Sequence, residues 1–269
     1  MNLILDSNGT FHNFSEVPKR IVSLVPSLTE TLYDLGLEEH IIGITEHCKH
    51  PYHLLSTKVV VGSTKGFNSE KIKALKPDLI LANALENNVE ELKQLVGICP
   101  VFITNILTVE NVLSTLDAFG EIFKKKTDAK KWKDKIQFAL DDFKHFVADI
   151  PVQKVAYLLW REPYIAAGKN SFINDMLQLN KFQNIYDNHS EAYPEVEIRK
   201  MRIQGDPEIV FLAKEPCDFQ EEHAFEIGRV THHAKTVFVE NEFFSWYGTR
   251  LFKAFQYFKA LHNRLKEDK

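Results

Sequence analysis

The amino-acid sequence predicts an α/β protein of two lobes with mainly parallel sheets, joined by a single long backbone helix. Three observations lead there. Short apolar runs of strand length alternate with segments of helical period, the pattern of βαβ units and parallel sheets. The two halves use the same local grammar: "KPDLILANALEN" (Lys76 to Asn87) and "GDPEIVFLAKEP" (Gly205 to Pro216) each pass from a Pro-containing start through an apolar strand into polar residues. Between them lies a long region of helical period. The expected divisions are an N-terminal α/β lobe over 1–108, a linking helical segment over 109–150 and a C-terminal α/β lobe over 151–269.

Taken in order, "RIVSLVPSLTETLYDLGL" (Arg20 to Leu37) opens with an apolar, β-branched run, Ile21 to Val25, suited to a strand covered on both faces. Pro26 stops the ladder. Ser27 or Thr29 can cap the following helix, and Glu30, three residues after Ser27, completes a capping-box pattern. Such a junction places backbone N–H groups and hydroxyls at the carboxyl end of a strand, where open α/β sheets bind ligands; it also serves as an ordinary βα turn. "GSTKG" (Gly62 to Gly66) lacks phosphate-loop spacing and reads as a hairpin-like or βα turn, with a helix starting at Asn68 or Ser69 and Glu70 in its first turn. Val109 to Lys124 reads as one helix. Thr127 then caps a second that runs to about Ala148, with Trp132, Ile136, Leu140, Phe143 and Val147 on one stripe. At about 22 residues this helix is roughly 33 Å long. A helix without internal Pro or Gly resists bending, which predicts a rigid two-lobed clamp with a cleft between the lobes. In the second half "KVAYLLW" (Lys154 to Trp160) is a strand and "SFINDMLQLN" (Ser171 to Asn180) a helix.

Bulk properties narrow the function classes. The 269 residues are 44% hydrophobic and 26% charged, with a formal net charge of −4. No basic stripe interleaves with aromatics, so no nucleic-acid partner is expected. No run approaches the ~18 apolar residues of a membrane span, so no direct membrane insertion is expected. Three scattered cysteines, Cys48, Cys99 and Cys217, give no disulfide framework. "MNLILDSNGTFHNF" has neither a basic n-region nor an apolar h-region, so no export signal is read in the chain. A monomer is expected.

The loops after the strands supply the candidate ligand-binding residues. The first half offers Ser27 and Thr29, then His47, Cys48 and His50 in "TEHCKHP", Thr64 and Lys65 in "GSTKGF", and Asn83 and Glu86 in "ANALENN". The second half offers Trp160, Arg161 and Tyr164 in "WREPY", then Tyr193, and Trp246, Tyr247 and Arg250 in "FFSWYGTR". Aromatic faces with a few polar and charged tips are the chemistry of a small-molecule pocket. "HCKH" is the sharpest local signal. Thiolate and imidazole suit zinc, copper or iron, which makes Cys48 and His50 candidate metal ligands, although the spacing is not that of a structural zinc site. The same loop also fits one buried cysteine with capping histidines, or a Cys–His nucleophile pair without an orienting carboxylate nearby in sequence. In "SWYGTR", Trp246 and Tyr247 can stack on a flat ligand and Arg250 can hold a carboxylate or phosphate; equally, the segment can pack the final helix. No catalytic residue is assigned, and the chain reads as a non-enzyme with no intrinsic cofactor.

"RIVSLVPSLTETLYDLGL", "VGSTKGFNSEKIKALKPDLILA" and "GKNSFINDML" resemble the helical-backbone substrate-binding proteins of ABC importers, a family that takes up cobalamin, haem and ferric siderophores. The resemblance runs from about Arg20 to the C-terminal helix. "HCKHP", "ANALENN" and "FFSWYGTR" look like a subgroup labelled cobalamin-binding or metal receptor. It implies the class III periplasmic-binding-protein fold, with the Arg20–Leu37 junction facing the ligand. The implied function is holding a corrinoid, haem or ferric siderophore for ABC-type uptake. Trp160, Tyr193, Trp246 and Tyr247 would wall the ligand, and Lys65, Arg161 and Arg250 would hold its peripheral carboxylates. Three features depart from the pattern. Thr64 and Asn83 stand where cobalamin binders carry tryptophans, and His47 and His50 replace aromatics, which thins the corrin-stacking surface. Glu70 matches one of the two glutamates that dock on a permease, whereas the second falls near Arg199 or Lys200. The family's leader is also missing, so the implied periplasmic or cell-envelope location stands beside a cytoplasmic one. The alternative function is a cytoplasmic metallochaperone or enzyme acting on a metal chelate through the Cys48/His50 loop.

Overall fold

A computed structural model describes residues 3–231 and 233–267. The chain divides into two compact units, Met1–Gln137 with Tyr247–Leu251, and Phe138–Trp246 with Phe252–Lys269. The division falls inside one long helix, and the chain re-enters the first unit at Tyr247–Leu251.

The first unit opens with an antiparallel pair, β1 (Leu3–Leu5) and β2 (Phe11–Asn13). Then follow β3 (Ile21–Ser23), α1 (Pro26–Asp34), β4 (Ile41–Ile44), α2 (Leu54–Thr57), β5 (Val59–Val60), α3 (Ser69–Ala74), β6 (Leu79–Asn83), α4 (Val89–Leu95), β7 (Val101–Thr104) and α5 (Val109–Ile122). Its main sheet has the order β5-β4-β3-β6-β7, every pair parallel. The order runs outward from β3 to β5 and then restarts beside β3 at β6. That makes β3/β6 the switch point of the sheet, the position at whose carboxyl edge open α/β sheets commonly bind ligands. The central strands β3 and β6 are buried along their whole length and mostly apolar, with the polar residues Ser23 and Asn83 at their carboxyl ends. Val22, Leu24, Ile80, Ala82 and Val101 pack with Ile72 of α3 and Leu92 and Leu95 of α4.

The helix α6 (Lys126–Phe146) carries the expected apolar stripe. Ile136 and Phe143 are fully buried, with Leu140 and Val147 nearly so, and the half-buried Trp132 donates its indole N–H to Asp34 O at 3.0 Å. On the outer face Lys130 pairs with Asp134 one turn on.

The second unit continues with β8 (Gln153–Trp160), β9 (Ile165–Ala166), α7 (Phe172–Leu179), β10 (Phe182–Asn184), α8 (Met201–Gln204), β11 (Ile209–Ala213), α9 (Glu221–Thr231), β12 (Lys235–Val239), α10 (Asn241–Ser245) and α11 (Leu251–Glu267). Its parallel order is β10-β8-β11-β12, with β9 antiparallel to β8. Alternation along the strands builds two cores. Ala156, Leu158, Val210 and Leu212 join Met201 and Ile227 of α8 and α9. The intervening Tyr157 and Phe211 meet Phe244, which meets Phe258 of α11.

Three local expectations are corrected. The first strand ends at Ser23, not Val25, because Pro26 already opens the helix from its first position, where its missing N–H costs nothing. No capping box forms there: the N-cap is Val25, with no side-chain cap, and Glu30 bonds elsewhere. The paired long helices also shift. Val109–Ile122 is capped by Thr108, whose hydroxyl accepts from Asn111 N in a reciprocal box, and the second helix begins at Lys126, ahead of Thr127. Downstream, Asn68 caps α3, its side chain accepting from Lys71 N at 2.9 Å. Gly62 and Phe67 pair as an antiparallel bridge, so "GSTKG" is a hairpin-like turn. Among the described residues no helix is long and apolar enough to cross a membrane.

Candidate functional site

In a parallel sheet the loops that follow the strands share one edge. In the first unit those loops hold Ser27 and Thr29 after β3, His47, Cys48 and His50 after β4, Thr64 and Lys65 after β5, and Asn83 with Glu86 after β6. Behind this edge runs a buried polar chain. The Thr29 hydroxyl lies 2.9 Å from Ser23 Oγ, the Cys48 thiol donates to Thr29 Oγ1 at 3.3 Å, and Thr45 Oγ1 lies 3.4 Å from Cys48 Sγ. Cys48 is fully buried. Burial pushes its thiol up, against the pull of its hydrogen bonds with Thr29 and Thr45. A thiol held protonated is a poor nucleophile and a poor metal ligand. Its neighbours face differently: His47 is exposed beside Glu46, and His50 is half-buried. Among the described residues no group of three or more His, Cys, Asp or Glu is placed to hold a metal ion.

Asn83 and Asn87 build the loop after β6. Asn83 Oδ1 accepts from Leu85 N at 2.9 Å, and its Nδ2 donates to Thr104 Oγ1 at 3.2 Å. Asn83 N donates to Asn87 Oδ1, and Asn87 Nδ2 donates to the carbonyls of Leu24 and Thr64 at 3.2 and 2.7 Å. Asn87 therefore ties the loop after β6 to the end of β3 and to the Gly62–Phe67 turn. It is the residue the sequence reading did not single out, although "NALENN" carries the pattern of side chains that hydrogen-bond their own loop. Glu86 sits at the tip, half-buried, and its Oε1 accepts from the Tyr247 hydroxyl at 2.6 Å. Burial pushes this carboxyl up to about 7, against the pull of Tyr247 and Lys65.

The returning segment brings Tyr247 and Arg250 to the same unit. Both are only 3% exposed. Arg250 Nε donates to Glu30 Oε2 at 2.8 Å, so the carboxylate it holds in this structure is that of α1. Burial raises the Glu30 carboxyl, and Arg250 opposes that rise. Ser27 is buried and its carbonyl accepts from Thr31, whose hydroxyl in turn accepts from Thr249 N.

In the second unit, Trp160 ends β8 with 41% exposure. Arg161 is half-buried and paired with Glu162 at 2.8 Å, and Tyr164 donates to Glu226 of α9 at 3.0 Å. Tyr193, 39% exposed, lies on a segment that runs along β9: Ala166 N donates to Pro194 O and Gly168 N to Ala192 O. This pairing ties the Tyr193 segment to β9, which itself pairs with the end of β8 that carries Trp160. Trp246 is half-buried at the end of α10. Elsewhere, Glu70 is exposed in the first turn of α3, Arg199 is exposed, and Lys200 pairs with Glu197.

Residues 21–244 match the family profile described as periplasmic binding protein. The chain belongs to that family. A relative described as vitamin B12-binding protein, from Pectobacterium atrosepticum, is 25% identical over 248 residues, covering 89% of this chain and 87% of its own. The crystal structure of the periplasmic vitamin B12-binding protein BtuF of Vibrio cholerae superimposes with a TM-score of 0.78 at 21% identity, covering 90% of this chain and 96% of that one. A periplasmic haem-binding protein from Pseudomonas aeruginosa gives 0.79 at 20% identity, covering 91% and 92%. These likenesses agree with the fold class read from the sequence and with the resemblance to helical-backbone binding proteins.

Proposed function

We infer that this member of the family is the substrate-binding protein of an ABC-type importer and holds a metal chelate, either a corrinoid, a haem or a ferric siderophore. One observation carries the reading: the match to a vitamin B12-binding protein extends over both compact units, 89% of this chain. The side chains support it. Trp160 and Tyr193 offer large, partly exposed aromatic surfaces, and Trp246 is a third ring on the same unit, suited to the faces of a macrocycle. Lys65 and Arg161 are the cations for rim carboxylates, each charge-assisted contact contributing about 1.5–3 kcal/mol where desolvated. Tyr247 and Arg250 act through Glu86 and Glu30. The buried, protonated thiol of Cys48 favours this reading over an enzyme or metallochaperone working through that loop. Glu70 is assigned to permease docking, and the location to the periplasm or cell envelope.

The test is a tryptophan-fluorescence titration of the purified chain with cobalamin, cobinamide and haem, corrected for inner-filter absorption. Saturable quenching below about micromolar is expected for one of them. Trp246→Ala is expected to weaken that binding at least about tenfold; unchanged affinity removes its stacking role. No saturable response to any of the three overturns the macrocycle assignment and leaves ferric siderophores as the ligands to titrate.

A further inference from the structure

The loop after β6 is built to hold one carboxyl in place. Asn83 and Asn87, both nearly closed to solvent, bond to the loop backbone, to each other, and to the carbonyls of Leu24 and Thr64. Asn83 Oδ1 also accepts from Glu86 N at 3.3 Å, which fixes the residue's backbone. Tyr247 then fixes its side chain, with the phenol donating to one carboxyl oxygen at 2.6 Å.

The partners of Glu30 and Glu86 differ in kind. Glu30 is bonded directly to a guanidinium. Glu86 is bonded to a neutral phenol, and among the described residues the ionisable groups acting on it are Tyr247 of the returning segment and Lys65 of the Gly62–Phe67 turn. Lys65 is exposed, so water screens its charge. A desolvated carboxyl without a bonded cation keeps its proton to higher pH, in line with the rise to about 7.

We propose that Glu86 is a specificity-determining residue that meets a carboxylate on the ligand rim as a hydrogen-bond donor, so that an anionic chelate binds together with one proton. This rests on the metal-chelate reading and narrows it to carboxylate-bearing ligands. The proton comes from solvent, resides on a Glu86 oxygen and is shared with the ligand carboxylate. Ionised Glu86 would instead face that carboxylate as a like charge, so binding raises the proton affinity of the pair further. A ligand whose rim carries neutral amides accepts from the acid and donates to the carboxylate, and gains nothing from the proton.

The experiment titrates haem, which carries propionate carboxylates, and cobinamide, which carries amides, from about pH 6 to about pH 9. Wild type, Glu86→Gln and Tyr247→Phe are compared. Ionisation of Glu86 in the ligand-free chain is followed by carbon NMR on carboxyl-labelled glutamate, the resonance being assigned by its loss in Glu86→Gln. In wild type, haem affinity is expected to fall about tenfold per pH unit above the Glu86 midpoint, as uptake of one proton requires, while cobinamide affinity stays level. Glu86→Gln should bind haem with a level pH profile. Tyr247→Phe removes a bond that favours the ionised form and should move the midpoint upward. A level haem profile in wild type, an unchanged slope in Glu86→Gln, or a Glu86 midpoint in the ordinary carboxylate range overturns the inference alone. Absence of binding by both ligands at every pH overturns the macrocycle reading, and the inference falls with it.

Discussion

Glu30 and Arg250 are 5% and 3% exposed and are joined at 2.8 Å. Neither charge has water as a substitute partner. Removing one therefore costs more than the pair itself contributes, because the other is left in a medium that solvates it poorly. Arg250→Met is expected to destabilise the first unit by about 3–5 kcal/mol in urea unfolding near neutral pH. The loss should shrink as pH falls, since burial already raises the Glu30 carboxyl and removing Arg250 lets it rise further. Glu30→Gln placed on Arg250→Met should recover a large part of the loss. If the double variant is as unstable as the single, the cost comes from packing, not from stranded charge.

At the scale of elements, the returning turn is seated on α1 by a glycine. Gly248 has φ +80°, a conformation that L side chains rarely adopt, and a Cβ there would lie 2.1 Å from Thr31 Oγ1. That hydroxyl already bonds Ser27 O and Thr249 N. Gly248→Ala is thus expected to cost about 1–3 kcal/mol, from backbone strain together with displacement of Thr31. Adding Thr31→Ala should recover only the steric part, and full recovery would show that the backbone is not strained. Strands at this scale were legible as short continuous apolar runs, since β6 and β11 are buried at every position, and the long helices by their apolar stripe. The caps were not legible in the same way. Ser27 and Glu30 have capping-box spacing, but Glu30 bonds to Arg250, 220 positions away, and Pro26 takes the first helical position.

For the whole molecule, the same logic separates what was readable in the candidate site from what was not. Loops after parallel strands could be placed on one edge from strand order alone, but the residue of "ANALENN" that bonds the neighbouring loops is Asn87, which was not among the candidates, and not Asn83 or Glu86. Which of them bond internally depended on partners far along the chain: Tyr247 meets Glu86 across 161 positions. One titratable group with a shifted pKa in each unit is expected to pull the stability of the two units in opposite directions on acidification. In the second unit His262 is 2% exposed, its Nε2 lies 3.1 Å from Asn180 Oδ1, and its ring stacks on Phe182. Burial, with Lys266 adding to it, pushes the imidazole down to about 4. As pH falls from about 6.5 toward 4, the unfolded histidine takes a proton that the folded one refuses, so this unit loses up to about 3 kcal/mol. In the first unit Glu86 works the other way. Its raised carboxyl contributes stability that is fully present below the ordinary carboxylate range and is lost as pH rises through about 7. In calorimetric transitions recorded between about pH 8 and pH 5, that of the second unit is therefore expected to move to lower temperature relative to that of the first on acidification. Trp132 reports the first unit and Trp160 and Trp246 the second, so Trp132→Phe assigns the transitions. His262→Leu should flatten the slope of the second unit and Glu86→Gln that of the first. If the slopes persist in these variants, the opposed acid responses arise from other groups and His262 and Glu86 do not set them.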